Sequence, residues 1–271
     1  MNTQTFLGLS DDLVFKHVFS KEDVLTGFLN AYFAFMNEKK QILKIETTTD
    51  HPIRGNKRKY KMYYGDVLVY LNTDEIISLE MYKEFSQNEF KKSLASISRK
   101  FSNQFERGKN YDSGKKIIGI DLILNNHLKL QKNLMNDYCF IDKYDYQNSN
   151  DEYLEMVLLN IDKVSKIVYD EEEEKLIKWL RLIGAESMEE LKEIAKGEKE
   201  MEQAIAYMED FLNDEEIQDV YDKIVDVADK AERKANINTA KKLLKMNLSI
   251  KNISEATGLS TEEIENLKTD I

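Results

Sequence analysis

The stretch from Tyr64 to Tyr82 constrains the fold more than any other part of the chain. Two runs, Val67-Leu68-Val69-Tyr70-Leu71 and Ile76-Ile77-Ser78-Leu79-Glu80-Met81-Tyr82, are rich in β-branched and apolar residues, with a polar turn between them. That pattern predicts a β-hairpin. Side chains alternate along a strand, so each run splits into two sets. Val67, Val69 and Leu71 share a face of the first strand; Ile77, Leu79 and Met81 share a face of the second. One apolar face must be buried, which puts these two sets on the same side of the sheet. Asp66 and Glu80 then occupy neighbouring strands on the opposite side. A plain two-residue turn gives the wrong parity, so this register requires an odd loop or a bulge.

Two carboxylates that close repel each other and are costly if dry. A hard divalent cation resolves the conflict: Mg²⁺ typically takes one or two carboxylates, with waters and substrate phosphates completing its shell. The alternative is a solvated edge hairpin with each acid near a lysine, since exposed acids are the default.

Composition narrows the classes. The 271 residues suffice for one large or two small domains, and 42% hydrophobic content supports a sizeable core. A single cysteine, Cys139, excludes an internal disulfide and a Cys-based structural zinc site. His17, His51 and His127 are scattered without HExxH spacing. No apolar run approaches a membrane span and the N-terminus carries no signal pattern, so a cytoplasmic protein is expected. One proline and ten glycines favour long regular elements. The net charge of −11 opposes a bulk electrostatic footprint for nucleic acid. It leaves room for a local basic groove. Arg54, Lys57, Arg58, Lys59 and Lys61 precede Asp66, while Lys83, Lys91, Lys92, Arg99 and Lys100 follow Glu80. The asymmetry fits a phosphate-facing first half and an acidic helical second half; ordinary surface charge is the competing explanation.

Along the chain, Ser10 or Asp11 caps a helix buried through Val14, Phe15, Val18 and Phe19. A second helix is predicted over 22–36, through Leu25, Phe28, Leu29, Tyr32, Phe33 and Met36. Residues 42–49 read as extended, and 51–61 as a basic connection. After the hairpin, Phe90, Leu94, Ile97, Phe101 and Phe105 form the apolar stripe of a helix, with Lys91, Lys92, Arg99 and Lys100 on its more polar sides and Gly108 as its terminal αL residue. The near-continuous apolar run 116–124 reads as a central buried strand joined by a crossover. Residues 138–141 and 153–161 are further strands. From about Glu171 the pattern turns helical: Leu176, Ile177, Trp179, Leu180 and Ile183 form one apolar set, Gly197 interrupts a helix over 188–212, and 217–244 reads as one long helix or two. The tail predicts two short helices around Gly258, with Ser260 and Glu263 as a capping box. Its second helix, Thr261-Glu262-Glu263-Ile264-Glu265-Asn266-Leu267, is acidic and repels phosphates, so packing or dimerisation is favoured over base reading.

Several of these pieces together resemble one family. They are Asp12-Leu13-Val14-Phe15-Lys16, Gly65-Asp66-Val67-Leu68, Leu79-Glu80-Met81, Gln104 with Gly108 and Tyr111, and the tail from Leu243-Leu244 to Gly258-Leu259-Ser260. The chain is similar to the PD-(D/E)XK nuclease family of transposase-like proteins, the recombination-promoting nucleases. The resemblance implies a restriction-endonuclease-like α/β fold: a mixed sheet flanked by helices over residues 1–168, followed by an α-helical C-terminal region over 169–271. It implies Mg²⁺-dependent cleavage of DNA, with Mn²⁺ as substitute. Asp66 matches the family's metal-binding Asp, Glu80 the acid of the second strand, Asp12 a recurrent acid of the first helix, and Gln104 a helix residue bordering the site. Arg58, Lys59, Lys61, Lys83 and Arg99 are the candidate DNA contacts, and a homodimer is an open possibility.

One position departs from the pattern. Family members carry Gln or Lys two residues after the Glu; this chain has Tyr82. A phenol donates a hydrogen bond but carries no positive charge near neutral pH. Lys83 is next in line but points to the other side of the strand. Lys91 or Lys92 of the following helix is the expected source of the cation. Three functions stay open: an active endonuclease, a degenerate relative that binds DNA or protein without cutting, or an assembly scaffold built on the acidic helical half.

Overall fold

In a computed structural model of the chain, the described residues are 6–47, 67–105, 108, 110–112, 114–128, 133–145, 149–164, 174–246 and 248–268. They divide into two compact units, Met1–Phe211 and Leu212–Ile271. The expected domain boundary at 168/169 lies outside the described residues.

The first unit is built on a six-stranded mixed sheet in the order β1-β2-β3-β4-β6-β5. Its strands are β1 (Ile42–Thr47), β2 (Val67–Leu71), β3 (Glu75–Phe85), β4 (Lys116–Asn126), β5 (Met135–Ile141) and β6 (Ser149–Asn160). β2 and β3 form the expected antiparallel hairpin, with Val67 opposite Leu79 and Val69 opposite Ile77. The connection is Asn72-Thr73-Asp74, an odd loop, and Asp74 adopts φ 59°. This is the familiar three-residue hairpin loop closed by an αL residue, and it supplies the parity that the hydrophobic alternation demands. The hairpin's apolar set is buried as expected: Val67, Val69, Leu71, Ile77, Leu79 and Met81. β3 runs parallel to β4, and β4 parallel to β6. β4 thus has a central place, as its apolar run requires.

Helices cover both faces. α1 (Asp12–Phe19) is capped by the Asp11 side chain accepting from Leu13 N–H. It and α2 (Glu22–Phe35) contribute Phe15, Phe19 and Phe28, which gather with Trp179 of α5 (Lys175–Gly184). Phe19 and Phe28, and Phe28 and Trp179, meet edge to face, the favoured aromatic geometry. The one-turn α4 (Ile161–Val164) links β6 toward α5. α6 (Met188–Ala195) and α7 (Lys199–Leu212) flank Gly197 at φ +81°, the break read from the sequence.

The opposite face is covered by α3 (Gln87–Ser102), which crosses from β3 to β4. Ser86 and Glu89 close a reciprocal capping box at its start. The helix is shorter than expected: Asn103 caps it in αR, and Gly108, although at φ +82°, lies beyond its end. Its inward face also differs. Ser93 and Ile97 are buried, whereas Leu94 is 44% exposed. The physical reason is the close approach to β4, where a Cβ on Gly119 would meet Ile97 Cγ2 at 2.6 Å. The helix seats its narrowest side, a serine and an isoleucine, over the strand.

The second unit has its own core. α8 (Glu215–Lys245), α9 (Ile250–Thr257) and α10 (Thr261–Lys268) enclose Ala240, Ile253, Leu259 and Ile264. Gly258 adopts φ +69°, and Ser260 and Glu263 form the predicted capping box. α10 pairs Glu263 with Arg233 of α8. Ile264 of α10 is fully buried in this core, so the acidic helix is a packing element of its own unit. Among the described residues no helix is long and apolar enough to cross a membrane.

Candidate functional site between the sheet and the third helix

The parallel register of β3 and β4 sets Ser78 beside Gly119, Glu80 beside Asp121 and Tyr82 beside Ile123. These residues alternate onto the face beneath α3. Ser93, Ile97 and Lys100 recur at helical spacing on the side of α3 that looks down on them, and Gln104 follows just past the helix end. Lys100, expected on a polar flank, belongs to this inner stripe, and its side chain is only 14% exposed.

Two carboxylates and one ammonium result. Lys100 Nζ lies 3.7 Å from Glu80 Oε1 and donates to Ser96 Oγ at 2.7 Å. Glu80 keeps about a fifth of its side chain in solvent. Asp121 is 1% exposed. Desolvation pushes its carboxyl up to about 7, against the hydrogen bond from Ser93 and the charge of Lys100, which pull it down. Its Oδ2 has no hydrogen-bond partner, and neither has the hydroxyl of Ser78 on the same face. Buried polar atoms are nearly always satisfied, so two neighbouring exceptions mark a place where stability has been traded away.

The donor set suits a hard divalent cation. It consists of carboxylate oxygens, one of them orphaned and the other reaching solvent, which matches the ligand preference of Mg²⁺ and Mn²⁺. Among the described residues no three His, Cys, Asp or Glu side chains gather into a metal cage. Asp66 lies outside the described residues, as do Arg58, Lys59 and Lys61.

The other sequence candidates are distributed as follows. Tyr82 is buried, its ring edge-on to Phe85 at 5.1 Å within the core beneath α3. Lys92 holds its ammonium 5.9 Å from the Tyr82 ring centroid, a cation–π contact. Lys91 and Arg99 are exposed on α3. Gln104 uses both ends of its amide on the main chain of Lys115, at 2.8 Å each, and so clasps the end of α3 to the approach of β4. Asp12 pairs with Lys16 on its own helix at 3.1 Å. Its neighbour Asp11 is the acid of that helix end that reaches β3, meeting Lys83 at 3.0 Å. Lys83 therefore faces α1, as strand alternation requires. Sequence reading missed Asp121, Ser93 and the inward direction of Lys100. Asp121 had a signal, as the only charged residue inside the run 117–124.

A sequence model of the family described as PD-(D/E)XK nuclease family transposase matches residues 9–240. Neither the curated proteins nor the solved structures yielded a match. The six-stranded mixed sheet flanked by helices, with helices following it, fits the PD-(D/E)XK fold.

Proposed function

The chain belongs to the PD-(D/E)XK nuclease family transposases, and we propose that it is a Mg²⁺-dependent DNA endonuclease that hydrolyses phosphodiester bonds. One observation carries this reading: Glu80 and Asp121 stand side by side beneath α3, one reaching solvent and the other with an unsatisfied oxygen. Asp66 and Glu80 hold the cation in this proposal, with Mn²⁺ as a substitute and Asp12 as the family's recurrent acid. When bound, the cation supplies Lewis-acid polarisation of the phosphate and a more acidic water. The chain's own residues do the rest. Glu80 fixes a negative charge at the solvent-facing rim. Asp121 places a second oxygen behind it, where water is excluded. Lys91, Lys92 and Arg99 on α3, together with Arg58, Lys59 and Lys61, meet backbone phosphates, and their contribution falls steeply with salt; Lys83, paired with Asp11 on the opposite face, is not among them.

The second reading, a relative that binds DNA or protein without cutting, is favoured by Tyr82, which is buried in the core at the position where a Gln or Lys would stand. Supercoiled plasmid incubated in Mg²⁺, Mn²⁺ or EDTA separates the two. The endonuclease nicks only with metal, and Asp66→Ala or Glu80→Gln lowers the rate by about a thousandfold or more without unfolding the protein. Variants that cut as well as wild type remove these acids from the site. Absence of nicking with either metal, while Mn²⁺ still binds, selects the second reading.

A further inference from the structure

We infer that Lys100 is the catalytic cation of this site, supplied from α3 in place of a strand residue. The inference rests on the endonuclease reading. Tyr82 offers no charge, and its ring is committed to Phe85 and to the Lys92 ammonium. Lys83 turns to Asp11 on the other face. Lys100 instead points inward, is held by Ser96 at 2.7 Å, and brings its ammonium to 3.7 Å from Glu80. Its charge is felt at Asp121 as well. An ammonium with a flexible four-carbon stem reaches a given point from a helix as readily as from a strand, and only its final position matters electrostatically.

The reaction assigns it a defined task. Water adds to phosphorus as the bond to one ribose oxygen breaks; the proton lost by the water passes to solvent, and the leaving oxygen takes one up. Lys100 stays protonated throughout and donates a hydrogen bond to a non-bridging phosphate oxygen, where negative charge grows. Before substrate arrives, the same ammonium partly neutralises Glu80. It therefore opposes cation binding, and this opposition gives a readout independent of cleavage.

The test compares wild type, Lys100→Met and Lys100→Arg by plasmid nicking and by calorimetric titration with Mn²⁺ alone. Methionine keeps the stem packed and removes the charge; Lys100→Gln, which retains a donor for Ser96, replaces it if the methionine variant does not fold. Cleavage by Lys100→Met falls by about a hundredfold or more, and arginine restores it to within about tenfold of wild type. Mn²⁺ binds Lys100→Met more tightly, by about tenfold, because a nearby like charge is gone. A residue with a merely structural role leaves that affinity unchanged. Lys100→Met cutting within about threefold of wild type, while Asp66→Ala is inactive, overturns the assignment and leaves the endonuclease reading standing. A wild type that binds Mn²⁺ but cuts with neither Mg²⁺ nor Mn²⁺ overturns the endonuclease reading, and the assignment of Lys100 falls with it. No Mn²⁺ binding by either protein overturns both.

Discussion

The same strands present two different faces. Toward α1, α2 and α5 they offer Val67, Val69, Leu71, Ile77, Leu79, Ile118, Ile120, Leu122, Val157 and Leu159, all buried. The charges at that margin are matched: Lys40 meets Glu38 and Glu75, and Lys116 meets Glu75 and Glu155. Toward α3 they offer Ile76, Tyr82, Ile117, Ile123, Met156 and Leu158, but also Ser78, Glu80 and Asp121. Two of those polar groups keep an unsatisfied atom. The first face favours stability, since burying apolar side chains and pairing charges both lower the free energy of the fold, even though the Nε1 of Trp179 on α5 is left without a partner there. The second gives up part of that gain to hold carboxylates where water is scarce.

The contrast is broken or sharpened by substitutions on either side. The largest effect is expected on the apolar face: Leu79→Ala should cost about 2–5 kcal/mol in denaturant unfolding, because Leu79 is 3% exposed and its neighbours are packed. A cost below about 1 kcal/mol would mean that the faces are assigned backwards. A smaller cost is expected from Gly119→Ala. The added methyl meets Ile97 at 2.6 Å and must lift α3, for about 1–3 kcal/mol. Cleavage should suffer out of proportion to that loss if Lys100 acts from the helix, and in proportion to it otherwise.

The finest test is pH. Asp121 holds its proton to about pH 7 when folded, whereas an unfolded aspartate releases it near the ordinary carboxylate value of 3.8. Between those values the native state binds the extra proton, so Asp121 makes stability decline as pH rises from about 4 to 7. Asp121→Asn should abolish that decline, leaving the variant's advantage largest above pH 7. An unfolding midpoint whose pH dependence is the same in both proteins would place Asp121 in a solvated environment. The acid limb has its own reporter. Burial and Lys21 hold His17 down to about 4, so its contribution is lost as pH falls from 6.5 toward 4. His17→Phe should flatten that limb in thermal unfolding.

What was legible in the sequence follows the same division. The hairpin register could be read because period-two alternation leaves one solution for burying Val67, Val69, Leu79 and Met81. The break at Gly197 and the Ser260 capping box are local signals and were equally plain. The site was legible only in part. Glu80 was found from the strand pattern, but Asp121 was passed over inside an apolar run whose strand assignment was right. Periodicity puts Lys100 on a polar flank because Leu94 completes a better apolar stripe than Ser93. Periodicity identifies the faces of a helix; which one is turned inward is decided by a glycine on another element, Gly119, seventeen residues beyond the helix end.

Carrying the ammonium on a helix has a mechanical consequence. In a strand arrangement, covalent bond lengths fix the separation of carboxylate and cation. Here the separation of Glu80 from Lys100 depends on how tightly two layers are pressed together, and Ile97 resting on bare backbone at Gly119 acts as the spacer. Core substitutions well away from any reacting atom become tuning screws for turnover, and hydrostatic pressure or temperature acts on the rate through the gap between helix and sheet.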